Sequence, residues 1–320
     1  MTKVLVTGVT GFIGYSLSEK LLEKGYDVWG AARFSAQTRR IPDGVKAYQC
    51  DITDPYSVTR MVKDIRPDII VHLAAMTPVS LSYNMPKYYM EVNYYGTVNL
   101  VEAARRIENL KAFIYASTSE TYGQQEKFPL VESMNRQPNT PYSISKYAGE
   151  LYVRVYAREA FDFPSVVAIP FNTYGRAKVG QKHFVIEKII CNMLKGVDKL
   201  YLGDPDVVRD FMFREDHVNA YLKIVEAVEN GKEEIYGEAF NFATGRGVTI
   251  RELVKIISKI IGWDGEIIWY THVRPADIRK LIGDYSKAKR ILGWEPKYSL
   301  EEGLRKAIKE WSDALTTPIY

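Results

Sequence analysis

The 320-residue chain has little of what staples or metallates a fold: two cysteines, Cys50 and Cys191, and four histidines. Neither cysteine has Cys or His companions at ligand spacing, which argues against a disulfide framework or a metal site and fits reduced thiols in a cytosol. No apolar run approaches the roughly 20 residues that span a bilayer. The first expected strand begins at Lys3, which leaves no room for a signal peptide. A cytoplasmic protein without a membrane partner is therefore expected. No Lys/Arg block exceeds a pair and the net charge is only +4, so an extended nucleic-acid surface is not expected either. Repeats, low-complexity tracts and flexible linkers are also missing.

What is present is ordinary globular composition, 46% hydrophobic and 26% charged, with a strong order in it. Runs rich in Val, Ile and Tyr recur at 3–7, 26–32, 45–50, 68–73, 111–116 and 164–170. They suit strands buried on both faces of a parallel sheet. Segments 12–24 and 85–107 between them carry apolar residues at helical spacing. This alternation predicts an α/β fold with a doubly wound parallel (Rossmann) sheet. Beyond about 172 the pattern changes: a helix near 182–195, short strands near 199–203 and 238–243, and helices near 249–261, 285–292 and 299–314. We read residues 1–172 as a dinucleotide-binding domain. Residues 173–320 read mainly as a smaller α/β substrate lobe, with room for a strand to return to the first domain.

The first strand runs into GVTGFIG, residues 8–14. Three glycines out of context mean a turn. Between a strand and a helix, Gly8 permits the tight bend, Gly11 admits a phosphate to the backbone, and Gly14 lets the helix pack close. Further on, CDITD places Asp51 where it could accept from an adenine amino group. An acid at the end of the second strand would bind the ribose hydroxyls of NAD. Here the chain reads WGAARFSAQTRR, with Arg33, Arg39 and Arg40 instead. Guanidinium groups pair well with a ribose phosphate, so NADP is expected over the alternative, NAD. A solvated loop or a subunit contact is the plainer reading of those arginines.

Two other stretches bear on chemistry. In PNTPYSISKYAGE (138–150), Pro141 suits a first helical turn and puts Tyr142 and Lys146 four apart on one face. An ammonium nearby would lower the pKa of the phenol and make it a usable base. In ASTSETYG (116–123), a carboxylate follows a threonine at the end of an expected buried strand. For an isolated glutamate, a solvent-facing loop is the simpler explanation. His72, in VHLAA, is read as packed; His183 and His272 lack partners at informative spacing.

These motifs together, with NYYGTVNLVEAA (93–104), PFNTYG (170–175), VRDF (208–211), FNFATGRGVTI (240–250) and GDYSKAKRILGWEP (283–296), resemble the extended short-chain dehydrogenase/reductases that act on nucleotide sugars. The resemblance covers essentially the whole chain. It implies Thr118, Tyr142 and Lys146 as the catalytic hydroxyl, base and lysine, with Ser119 helping Thr118 to polarise the oxygen on carbon 4. It implies a cofactor set of Gly8, Thr10, Gly11, Phe12, Ile13, Gly14, Arg33, Asp51, Ile52, Leu73, Ala74, Ala75, Tyr142 and Lys146. Asn93 joins that set by helping to hold the active-site helix. Asn172, Arg209 and Arg274 would meet the sugar nucleotide, with Phe184, Val185 and Lys188 near it.

Glu120 gains a role within this resemblance. Epimerases of the family usually carry a residue there that cannot act as a base, whereas 4,6-dehydratases carry Glu. The order Thr-Ser-Glu is most similar to the GDP-mannose 4,6-dehydratase branch. That implies oxidation at carbon 4, loss of water across carbons 5 and 6, and return of the hydride to carbon 6. The alternatives are a UDP-glucose type 4-epimerase, then a UDP-glucuronate decarboxylase or 4-keto-6-deoxysugar reductase. A different class, an NADP-binding sensor or scaffold, would not need the Tyr/Lys pair. The implied partners are a nucleotide-diphosphate sugar and a second copy of the chain, as a homodimer or homotetramer formed through helices 85–107 and 141–161.

Overall fold

The strand-forming runs of the first half become a seven-stranded, wholly parallel sheet because nearly every residue in its inner strands is buried on both faces. The computed structural model describes residues 1–33, 41–156, 160–176, 184–270 and 276–316. In chain order the first half holds β1 (Lys3–Thr7), α1 (Phe12–Glu23), β2 (Asp27–Ala32), β3 (Lys46–Gln49), α2 (Pro55–Ile65) and β4 (Ile69–His72). There follow α3 (Val79–Ser82), α4 (Pro86–Met90), α5 (Gly96–Ala104), β5 (Ala112–Ala116), α6 (Pro141–Val155) and β6 (Ser165–Pro170). The sheet order is β3-β2-β1-β4-β5-β6, continued by a strand from much later in the chain, and reverses direction of growth between β1 and β4. In such sheets the crevice beyond the carboxyl ends of the strands at the reversal is the ligand site.

The second half contains β7 (Asn172–Tyr174), α7 (Val185–Leu194), β8 (Lys199–Leu202), β9 (Val208–Phe213), α8 (Arg214–Glu229) and β10 (Ala239–Phe242). It ends with β11 (Gly247–Thr249), α9 (Ile250–Ile261), β12 (Glu266–Trp269), β13 (Lys280–Leu281), α10 (Ser286–Leu292) and α11 (Leu300–Thr316). The strand expected near 238–243 lies at the edge of the large sheet: β10 pairs in parallel with β6. Around β9, β7 and β13 run parallel and β11 antiparallel, while β8 and β12 form a separate parallel pair.

Three apolar cores follow. One face of the large sheet is covered by α1, α8 and α10, with Val4, Leu17, Tyr221 and Trp294 packed together. The other is covered by α2, α5 and α6, with Leu5, Met61, Leu100 and Val153. The third lies among α7, α9, α11 and the strands around β9. Because α8 and β10 belong to the first layers while α7 and α9 do not, the chain crosses between the two bodies more than once.

The helix expected over 85–107 is interrupted. Residues Glu91–Tyr95 form a π-helical turn between α4 and α5. Asn93 lies in that turn, fully buried and held by side-chain bonds to another part of the fold. Such turns often mark functional positions.

Candidate active site

A cleft of about 750 Å³ opens over the carboxyl ends of β1, β2, β4, β5 and β6. Its floor is the loop from β1 to α1. Gly8 has φ +71°, a left-handed conformation, and a Cβ there would lie 2.9 Å from the backbone nitrogen of Ala74. At Gly14 a Cβ would meet the Gly8 carbonyl oxygen at 2.2 Å. The α1 N-cap is Gly11, which offers no side-chain cap to the first-turn N–H groups. Those donors, at the positive end of the helix dipole, fit a pyrophosphate. The glycine loop therefore suits a dinucleotide on the protein's own geometry.

All the floor residues expected from the sequence line the cleft: Gly8, Thr10, Gly11, Phe12, Ile13 and Gly14, then Arg33, Asp51 and Ile52, then Leu73, Ala74 and Ala75. At the end of β2, Arg33 donates to the Tyr88 hydroxyl at 2.6 Å and lies 3.9 Å from the Asp51 carboxylate. Asp51 accepts from the Thr53 N–H and hydroxyl, which fixes its side chain. Arg39 and Arg40 lie outside the described residues.

The reactive wall is built by α6 and the end of β5. Pro141 occupies the first turn of α6, and Thr140 and Ser143 form a reciprocal capping box, each hydroxyl accepting from the other's N–H at 3.0 Å. This sharp start aims Tyr142 and, one turn later, Lys146 into the cleft. At the end of β5 the backbone enters a 3₁₀ turn over Ser119–Tyr122, with the Thr118 hydroxyl accepting from the Glu120 N–H. Thr118 and Glu120 line the cleft; Ser119 between them is buried and does not line it. In this tight turn successive side chains diverge, so the residues on either side of Ser119 face the cleft together.

Desolvation dominates the electrostatics at this wall. Burial pushes the Tyr142 phenol well above its ordinary value, and nearby Glu120 adds to the rise. The Thr118 hydroxyl, bonded to the phenol oxygen, opposes this. Burial also pushes the Lys146 ammonium down to about 7, with the Glu150 carboxylate pulling it back up. The Lys146 ammonium rests 4.4 Å from the centroid of the Tyr115 ring.

Other expected site residues lie elsewhere. Asn93 sits behind the wall: its amide donates to Met76 O and Ser145 Oγ, and its oxygen accepts from Met76 N–H. It thereby ties the active-site helix to the loop after β4 instead of lining the cofactor cleft. Asn172 and Phe184 do line the cleft, and the Asn172 side-chain oxygen is buried without a partner among the described residues, an acceptor suited to a ligand. Val185 packs into the third core. The Lys188 ammonium donates to Tyr201 O, and Arg209 is 9% exposed and bonded to Val208 O and Asp277; neither lines the cleft. Arg274 lies outside the described residues. His72 is packed as expected, 1% exposed between the Thr7 and Thr97 hydroxyls.

Among the cleft residues that escaped the sequence reading, two carry polar groups on one helix face. His217 and Tyr221, on α8, stack with ring centroids 5.2 Å apart, and His217 Nδ1 lies 2.8 Å from the Thr173 hydroxyl. The HVNAY spacing, four apart like Tyr142 and Lys146, was the available signal. It reads equally as core until α8 is known to cover the cleft.

Comparison with known proteins agrees with this geometry. A family model described as GDP-mannose 4,6 dehydratase matches residues 5–307. The chain belongs to this family. A GDP-mannose 4,6-dehydratase of Yersinia enterocolitica is 34% identical, over 94% of this chain and 91% of that protein. Among solved structures, a UDP-glucose 4-epimerase from Thermotoga maritima, determined with UDP-glucose, is 34% identical with a TM-score of 0.89, covering 98% of this chain and 100% of that one. A Thermus thermophilus UDP-glucose 4-epimerase in complex with NAD is 30% identical with a TM-score of 0.87, again over 98% and 100%. This chain is thus an NAD(P)-dependent enzyme of the nucleotide-sugar dehydratase and epimerase kind, within the extended short-chain dehydrogenase/reductases.

Proposed function

We propose that the enzyme is a nucleotide-sugar 4,6-dehydratase of the GDP-mannose type, working with NADP. One observation carries this: a carboxylate, Glu120, stands in the cleft wall beside the Tyr142 phenol, where an epimerase has no use for a base. Thr118 would hold the oxygen on carbon 4 while Tyr142 takes its proton. When bound, the oxidised nicotinamide supplies a hydride acceptor and a positive charge, and later a hydride donor, without net consumption. That charge acts on the phenol in the direction opposite to burial. Once carbon 4 is a ketone the proton on carbon 5 is acidic, and Glu120 would remove it and pass it to the hydroxyl leaving carbon 6 as water. Arg33, at the end of β2 in place of an acid, supports NADP.

The test incubates pure protein with GDP-mannose, UDP-glucose, UDP-glucuronate and dTDP-glucose, each with NADP and with NAD. The expected product is GDP-mannose less the mass of one water, formed with NADP. The Glu120→Gln enzyme is expected to lose solvent exchange at carbon 5 while still oxidising carbon 4. Normal exchange in that variant sinks the base assignment. The likeness to the solved epimerases favours 4-epimerisation as the second reading, which predicts an unchanged mass and an altered sugar.

Assembly belongs to the same proposal. Tyr95, Ile144, Leu151 and Val155 are each 43–57% exposed, and the last three repeat along α6. An apolar stripe of this kind fits a second copy of the chain. Sedimentation as a dimer or tetramer is expected, and a monomer at micromolar concentration refutes it.

A further inference from the structure

Behind the reactive wall lies a pair of buried charges that the proposed chemistry does not use. Glu150, on α6 one turn after Lys146, is 0% exposed and accepts a 2.5 Å hydrogen bond from the Ser117 hydroxyl through one oxygen. Its other oxygen lies 3.8 Å from both the Arg136 and Arg154 guanidinium groups and makes no hydrogen bond among the described residues. Arg136, in the loop before α6, has a side chain only 4% exposed. Its guanidinium sits 3.7 Å over the Tyr122 ring and donates to the Thr121 hydroxyl at 3.1 Å, while its Nη2 has no hydrogen-bond partner among the described residues.

As a device for stability this pair is poor. Burying two charges without a direct hydrogen bond between them recovers little of their desolvation cost, and apolar residues of similar volume would serve as well or better. What the two groups do is grip the same short piece of chain at both ends. Glu150 holds Ser117 at the exit of β5; Arg136 holds Thr121 and Tyr122 at the end of the 3₁₀ turn. The Thr121 hydroxyl in turn donates to Thr118 O at 2.8 Å, and Gln137 N–H donates to Thr121 O. Gly123 then closes against the same loop, where a Cβ would lie 1.8 Å from the Gln137 oxygen. Thr118 and Glu120 are the two residues inside the grip whose side chains face the cleft.

We propose that Arg136 and Glu150 are positioning residues, a buried charge pair that fixes segment 117–122 so that Thr118 and Glu120 present their oxygens to the substrate together. The proposal rests on the enzyme reading above and concerns geometry, not proton transfer. Because misplacement of a reacting group by about 1 Å can cost up to about a hundredfold in rate, a loosened grip should appear in kcat more than in KM.

Three variants test it: Glu150→Gln, Arg136→Gln and the double variant. Glu150→Gln keeps an acceptor for Ser117, and the double variant removes the buried guanidinium together with the carboxylate near it, so folding is retained in at least the latter; because Glu150 also acts on Lys146, kcat is compared across pH to separate a shifted lysine from a loosened segment. Each is assayed on the nucleotide sugar that the wild type turns over, alongside thermal unfolding. The expected result is a double variant with near wild-type melting temperature and KM but kcat lower by about tenfold or more. Its carbon 5 exchange should fall further than carbon 4 oxidation. A double variant that recovers both stability and kcat shows an ordinary structural ion pair and overturns the proposal. Loss of the dehydratase reading shows separately, as wild-type turnover without loss of water, and leaves the kcat comparison intact.

Discussion

The floor and the wall of the cleft bind by opposite means. The floor is backbone: glycines 8, 11 and 14 and the uncapped start of α1 present N–H groups and empty space. The wall is side chain: Thr118, Glu120, Tyr142 and Lys146, all buried or half-buried, with desolvation raising the pKa of the tyrosine and lowering that of the lysine. A floor of this kind recognises what all dinucleotides share and is indifferent to the reaction above it. On the function proposed above, chemistry would be decided by a few side chains on the wall, and most sharply by the carboxylate at position 120.

The largest effect is expected on the floor, although it holds no reactive group. In Gly14→Ala the new methyl would meet the Gly8 carbonyl carbon and oxygen at 2.9 and 2.2 Å and the Val9 Cα at 3.1 Å. All are backbone atoms that cannot turn aside. Helix α1 must then retreat from the loop, and the phosphate-binding donors move with it. We expect NADP affinity to fall by about a hundredfold or more, a loss of roughly 3 kcal/mol, together with a lower melting temperature. Titration of cofactor fluorescence checks this. Unchanged affinity would mean that the loop is tolerant and that the contrast between floor and wall is false.

The floor was legible in the sequence because its rules are local. A strand, three glycines at fixed spacing and a helix identify each other within about a dozen residues, and every floor residue expected from them lines the cleft. The wall was half legible. Tyr142 and Lys146 sit one helical turn apart, so their common face follows from spacing alone. Glu120 and Thr118 depended on how tightly the chain turns after β5, and Ser119 between them could not be told apart from its neighbours. The π turn at 91–95 left no trace in the apolar pattern. Its cause is tertiary: Asn93 bonds to Met76 and Ser145, and Gly96 packs where a Cβ would lie 2.7 Å from the Ile52 side chain. Arg209 has a partner that the motif VRDF could not reveal: its guanidinium pairs with Asp277, far along the chain.

A smaller effect should distinguish the wall by its pH dependence. Burial holds the folded Lys146 near 7 against an ordinary value of 10.5. Below 7 both folded and unfolded chains carry the proton, and the full cost of the buried ammonium is present. Between 7 and 10.5 the unfolded chain binds a proton that the folded chain has released, so this residue makes stability rise with pH through that window. The carboxylate of Glu150 lessens the shift but does not reverse its sign. Lys146→Met should therefore flatten the pH dependence of unfolding over the window in the protein without cofactor. The difference from wild type should be on the order of a few kcal/mol, largest at the acid end. Urea denaturation at a series of pH values measures it, with other titrating groups common to both proteins. Gly14→Ala, which alters only the floor, should leave that slope as it is in the wild type; parallel slopes for wild type and Lys146→Met would show that the lysine is solvated and that the wall is not the desolvated surface described here.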